Sequence, residues 1–332
     1  MRVKTMIAAA ALVAAGAGPA RAQQQVNVTR NTGPTGAVEI QNPTGEVRVV
    51  AWDRNQVQVT GTLGSDRDRV DVEDEGDGVV VRVVPRGGNG YGGHGGRGSS
   101  IEVRVPARKD LEVNVVAAGV TVTGMAGNVE AHSVSGPVRV TGGRSRHITA
   151  VSRSGPVDVD ATAERVEANS MSGPVTVGGT VRDRVEANSV SGTVRITAAT
   201  GEVEAGSVSG DVEIASMRGR AEVHSVSGGI RVTGRGLSGT FQTVAGGIVL
   251  SGDLARDADL ELTTHSGDVT LQLAANASAS VEMTTFSGGI SVDYPGARVQ
   301  RENRRNATAR VGAGDASVTV STFSGDVKLT RR

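Results

Sequence analysis

A tetrad, Ser/Thr-x-Ser-Gly, recurs along the chain with its glycine at Gly136, Gly155, Gly173, Gly192, Gly210, Gly228, Gly267, Gly288 and Gly325. A degenerate copy, "TVAG", ends at Gly246. Successive glycines stand 18, 19 or 21 positions apart until a final step of 37, which reads as two periods. Val-Glu-Ala or a relative precedes each tetrad, and alternating pairs such as Val138/Val140, Val157/Val159 and Val194/Ile196 follow. Alternation of that kind is the signature of strand. Each unit is therefore two short strands divided by glycine turns, and residues 26–332 show no helical period.

Two strands in 18 residues allow an antiparallel meander or a β-solenoid. Near-identical letters at fixed positions select the solenoid, because stacked coils place each residue on its equivalent about 4.8 Å below and ladders of like residues result. Ten coils give a rod of roughly 50 Å, and a perimeter near 60 Å encloses a narrow interior. The composition suits that interior: apolar residues are mostly Val and Ala, and only six residues are aromatic. The expected fold is all-β, a single-stranded β-solenoid with coils of about 18 residues over 101–332 and an N-terminal β cap over 23–100. Within the cap, "DVEDEGDGVVVRVV" (71–84) reads as a hairpin with "EGDG" as its turn. "RGGNGYGGHGGRGSS" (86–100) reads as a Gly-rich loop. The basic stretch "ARVQRENRRNATAR" (297–310) reads as an excursion loop.

Residues 1–22 read as a signal peptide: Arg2 and Lys4 open it, "MIAAAALVAAGAG" is too short to span a bilayer comfortably, and "ARA" fits a cleavage site. The expected address is the periplasm, the cell surface or the medium, with no transmembrane segment after cleavage. Thirty-five basic residues balance 35 acidic ones, which argues against nucleic acid as a partner. The absence of cysteine excludes disulfides, thiolate metal sites and a cysteine nucleophile.

"NPTGEVRVVAWDRNQVQVTG", "IEVRVPARKDLEVNV" and the iterated "SVSGPVRV" resemble the bacterial family of β-strand-repeat proteins labelled putative adhesin, a domain of unknown function. The resemblance covers most of residues 26–330. It implies an exported, solenoid-like envelope protein and supplies no catalytic residues.

Catalysis has little to stand on. Serines that recur in nearly every unit are corner residues rather than one nucleophile beside a base. The position after each Ser-Gly holds Asp211, Asp268 and Asp326, which by repeat order never fall on adjacent coils. His132 and His224 share a repeat position five coils apart, too far to share a metal. The sequence thus predicts no enzyme activity and no cofactor; the competing readings are a polysaccharide-active β-helix enzyme and a periplasmic envelope-stress accessory protein. Two rows are candidate interaction sites. Val134, Met171, Val190, Val208, Val226, Phe286 and Phe323 stand between the two serines, with Arg153, Val244 and His265 in the same row. Strict alternation would expose this row as an apolar stripe, whereas a bend before the serines would bury it; burial is the expectation. Glu167, Glu186, Glu204 and Glu222 form a charged edge on consecutive coils, with Arg165, Arg184 and Arg220 placed to bridge it. The partner such rows would meet is an envelope polysaccharide or another surface protein.

Overall fold

The computed structural model describes residues 24–85, 98–197 and 200–332. The expected signal peptide and most of the Gly-rich loop lie outside them. Among the described residues the chain is all-β and solenoid-like, without a helix. Parallel strands stack in register, so that Val138, Val157, Val175, Val194, Val212, Ile230, Ile248 and Val269 form one continuous inward ladder. All eight are buried. A second ladder runs through Ala131, Ala150, Ala168, Ala187 and Ala205. Like residues stack on like because every coil must present the same width to the next. Where the alanine column swells to Val223, Phe241 and Leu262, the neighbouring inward column thins to Ala221 and Gly239 before Leu260. Core volume is shared between columns, as close packing requires.

Chain order and stacking order part company at both ends. The strand Ala37–Trp52 lies parallel to Asp110–Thr123 on one side. On its other side it pairs with Gly78–Val84 and Ser99–Pro106, which come later in the chain. Antiparallel strands finish this end: Arg69–Glu75 on Gly78–Val84, Gln56–Thr62 on Ser99–Pro106, and Gln25–Asn31 on Gln56–Thr62. The opposite end repeats the device. Ala316–Ser324 slots between Asp259–Ser266 and Ala279–Ser287, and Val327–Arg331 slots between Val269–Leu273 and Ile290–Asp293. Asn306–Val311 then pairs antiparallel with Ala279–Ser287, and Arg298–Arg301 pairs antiparallel with Asn306–Val311. A strand tucked between two coils satisfies both rows of its backbone groups, which an outermost strand cannot do.

This arrangement corrects four expectations. The final step of 37 is not two stacked periods, because the coil of Gly325 sits between those of Gly267 and Gly288. Residues 297–310 are not an excursion loop, because their two strands close the end of the stack. Parallel coils do not begin at residue 101, since Ala37–Trp52 already belongs to them. Asp268 and Asp326 do fall on adjacent coils: the Asp326 backbone N–H donates to Asp268 Oδ1 at 2.9 Å. Repeat counting follows the chain and cannot see an inserted end.

Candidate interaction surface

The corner of each coil decides which side chains reach the outside. Ser152 illustrates it: the hydroxyl donates to Gly136 O on the coil below (2.9 Å) and accepts from the Gly155 N–H of its own turn (2.9 Å). Ser170 and Ser189 repeat both bonds. The serine hydroxyl has to face inward to satisfy a carbonyl and an amide that would otherwise be buried alone. Alternation then carries the next residue outward, and the chain turns only afterwards.

The expected burial of the row between the serines is therefore wrong. Val134 is 42% exposed, Met171 50%, Phe286 56% and Phe323 48%. Val190, Val208, Val226 and Val244 are similarly open. Backbone bonds between coils keep the row in step, as from Met171 N–H to Ser152 O and from Val190 N–H to Ser170 O, both 3.3 Å. The row ends in a stack of rings. His265 and Phe323 lie 4.9 Å apart and 8° from parallel, and Phe323 and Phe286 lie 4.7 Å apart and 6° from parallel. Arg305 covers the far face of that stack, 5.1 Å from the Phe286 centroid. The order His265–Phe323–Phe286 could not be found by counting repeats, because the inserted coil sets it.

The glutamates also align. In spatial order the column runs Glu39, Glu112, Glu130, Thr149, Glu167, Glu186, Glu204 and Glu222. Glu39 and Glu112 were missed from the repeats, since their coils lack the Ser-x-Ser-Gly tetrad; the strand pattern of "VEIQN" and "LEVNV" was the available signal. Arg184 bridges to Glu204 (2.5 Å) and Glu202 (2.8 Å). Arg165 pairs instead with Asp183 at 2.8 Å, and Arg220 stands beside Glu202 in the register. Asn169 donates to Glu167 at 2.9 Å. Burial, followed by the charges of Glu204 and Glu167, raises the pKa of Glu186 above its ordinary 4.5, with Arg184 opposing.

A folded pKa above the unfolded one means that the native state binds more protons. The resulting strain is absent below the unfolded value and present once pH exceeds the folded one. Glu186→Gln is accordingly expected to raise stability at pH 7 by less than about 1 kcal/mol, since the group is partly solvated. The gain should vanish near pH 4 and shrink in high salt. Urea midpoints at the two pH values, with and without salt, measure it; an equal gain at both pH values would contradict a penalty on the ionised Glu186.

Two of the aspartates that follow the Ser-Gly corners serve the turns. Asp326 Oδ1 accepts from Gly289 N–H at 2.9 Å, and Asp211 Oδ1 accepts from Gly229 N–H at 2.8 Å. Each carboxylate completes the corner of a neighbouring coil. A shallow groove of 340 Å³ runs over the stacked Pro137, Pro156 and Pro174, flanked by the ion pair of Arg139 and Asp158 (3.1 Å). No group of three or more potential metal ligands occurs among the described residues.

The model of the family described as Toastrack DUF4097 matches residues 36–251 and, again, residues 215–330. The chain belongs to that family. Toastrack membership is the likeness that the repeats carry: a putative-adhesin domain family of unknown function with a solenoid-like fold. Among solved structures, the Toastrack chain is similar to a putative adhesin from Bacteroides fragilis, at 15% identity over 70% of this chain and 98% of that one, with a TM-score of 0.45. It is similar also to a putative adhesin from Parabacteroides distasonis, at 12% identity over 76% and 98%, TM-score 0.34. A putative cell adhesion protein from Clostridium sporogenes shares 8% identity over 93% and 100%, TM-score 0.22. No curated protein matches the chain.

Proposed function

We propose that this Toastrack chain is an exported, non-catalytic scaffold of the cell envelope, with coils of about 18 residues and an N-terminal β cap, whose apolar corner row is the surface offered to a partner. The observation that carries the reading is the row itself: Met171, Val190, Val208, Val226 and Val244 stand open to water on five consecutive coils, with Val134 beyond Arg153 at one end and Phe323 and Phe286 beyond His265 at the other. Contiguous exposed apolar surface is unfavourable in a monomer unless something covers it. Valine, methionine and phenylalanine suit the dry centre of a protein interface, so the partner proposed is another envelope protein. The glutamate edge runs along the same strands and supplies a charged flank. Export rests on Arg2, Lys4, the apolar run 6–18 and "ARA" at 20–22.

The test is retention on isolated cell envelopes. Met171→Ser with Val208→Ser, and separately Phe323→Ser, should leave the fold intact, because these side chains are exposed. Each should weaken retention at least about tenfold, the loss of roughly 1.4 kcal/mol of contact. Protease treatment of the envelopes should abolish binding; binding that survives it points to polysaccharide and overturns the partner proposed. Full retention by both variants overturns the row as the contact surface. Antibody labelling that finds the chain in the cytoplasm overturns export.

A further inference from the structure

Among the described residues, both ends of the stack finish in strands paired on one side only. Among the described residues, Arg69–Glu75 pairs only with Gly78–Val84, and Arg298–Arg301 pairs only with Asn306–Val311. An open edge is a template for another strand, and proteins commonly blunt such edges with charge. Here these two edges carry opposite charge; the other one-sided strands, Gln25–Asn31 and Ile290–Asp293, carry a single charge each. Residues 66–77 hold seven acids against Arg67 and Arg69. Arg69 is held by Asp71 at 2.9 Å, while the exposed Glu73, Asp74 and Glu75 have no ion-pair partner among the described residues. Residues 298–310 hold five arginines against Glu302. Among the described residues none of the five forms an ion pair: Arg305 covers Phe286, and Arg301 and Arg310 donate to the carbonyls of Ile290 and Ala313.

Charge placed only to prevent association would work best with one sign at both ends. Opposite signs repel acidic end from acidic end and basic from basic, and favour the mixed contact. We infer that copies of this chain associate head to tail, the acidic edge Arg69–Glu75 of one extending the sheet at the basic edge Arg298–Arg301 of the next. Such a contact is heterologous, uses a different surface on each partner, and leaves a free end for further growth. It is separate from the corner row and stands whether or not that row binds anything.

The test uses purified protein expressed from the full chain, with mass followed by light scattering across a concentration series. The wild type is expected to grow in mass with concentration at about 0.02 M salt and to lose at least about tenfold in apparent association at about 0.5 M, where the screening length falls to a few ångströms. Arg298→Gln with Arg304→Gln removes charge from one end, and Glu73→Gln with Glu75→Gln removes it from the other. Each variant alone should stay monomeric with its melting temperature unchanged. Their equimolar mixture should give dimers that grow no further, because one intact acidic end meets one intact basic end. A wild type that is monomeric at low salt overturns the inference. So does either variant assembling like the wild type, or a mixture that stays monomeric or grows past the dimer.

Discussion

Gly173→Ala is expected to destabilise the stack by about 4 kcal/mol, in the range reached only by backbone clashes, cavities and broken buried networks. A Cβ at Gly173 would lie 2.2 Å from Gly155 O and 2.7 Å from Pro156 N. Both obstacles are backbone of the coil below, so no side-chain rotation relieves them. The two coils would have to part at the corner, opening the bonds from Ser172 N–H to Arg153 O (3.1 Å) and from Ser170 Oγ to Gly155 O (3.0 Å). Ser170→Ala removes only the hydroxyl and leaves an amide and a carbonyl short of a partner, a loss of about 1–3 kcal/mol. Gly178→Ala provides the contrast, because a Cβ there meets nothing closer than Thr197 Oγ1 at 3.4 Å. Urea unfolding should rank the three Gly173, Ser170, Gly178 from most to least damaging. A Gly173→Ala variant no worse than Gly178→Ala would mean that the recurring glycine does not mark a close approach of coils.

That ranking also shows what the letters could reveal. The Ser-x-Ser-Gly tetrad announces a stacked corner, because a short hydroxyl and a missing side chain are both needed where two backbones nearly touch. The ladders of Val138, Val157 and Val175 were legible for the same reason: a single column repeats a single requirement. Legibility failed where the requirement was not local. Whether Met171 faces water depends on where the bend falls, and that is set by Ser170 reaching the Gly155 carbonyl one coil away. The stacking of Phe323 on Phe286, and the meeting of Asp268 with Asp326, depend on a chain end inserted out of order. Repeats report what lies one period away along the chain, and these contacts cross the stack without following it.

Lys109→Met should loosen the N-terminal end selectively. Lys109 is fully buried and heads the largest enclosed side chains. Its ammonium donates to the carbonyls of Thr35 (2.5 Å) and Asp77 (2.9 Å), so one cation ties the turn before Ala37 to the turn of the hairpin. Methionine fills the same space and leaves both carbonyls without a donor, for a loss of about 1.5–3 kcal/mol. A stack of coils need not unfold as one body, so the damage should appear locally. Amide exchange should quicken over residues 37–84 while Val157–Ser170 stays protected. The pH dependence follows from burial, which lowers the Lys109 pKa below 10.5, opposed by the charge of Asp77. In the interval between the folded value and 10.5 the unfolded chain binds more protons than the native one, so stability contributed by this group rises with pH there. The neutral amine keeps two hydrogens for its two carbonyls, so the tie survives deprotonation. The advantage of wild type over Lys109→Met should therefore widen as pH climbs toward 10.5. An advantage that stays flat or narrows over that interval would show that the desolvated charge is not what Lys109 carries into the fold.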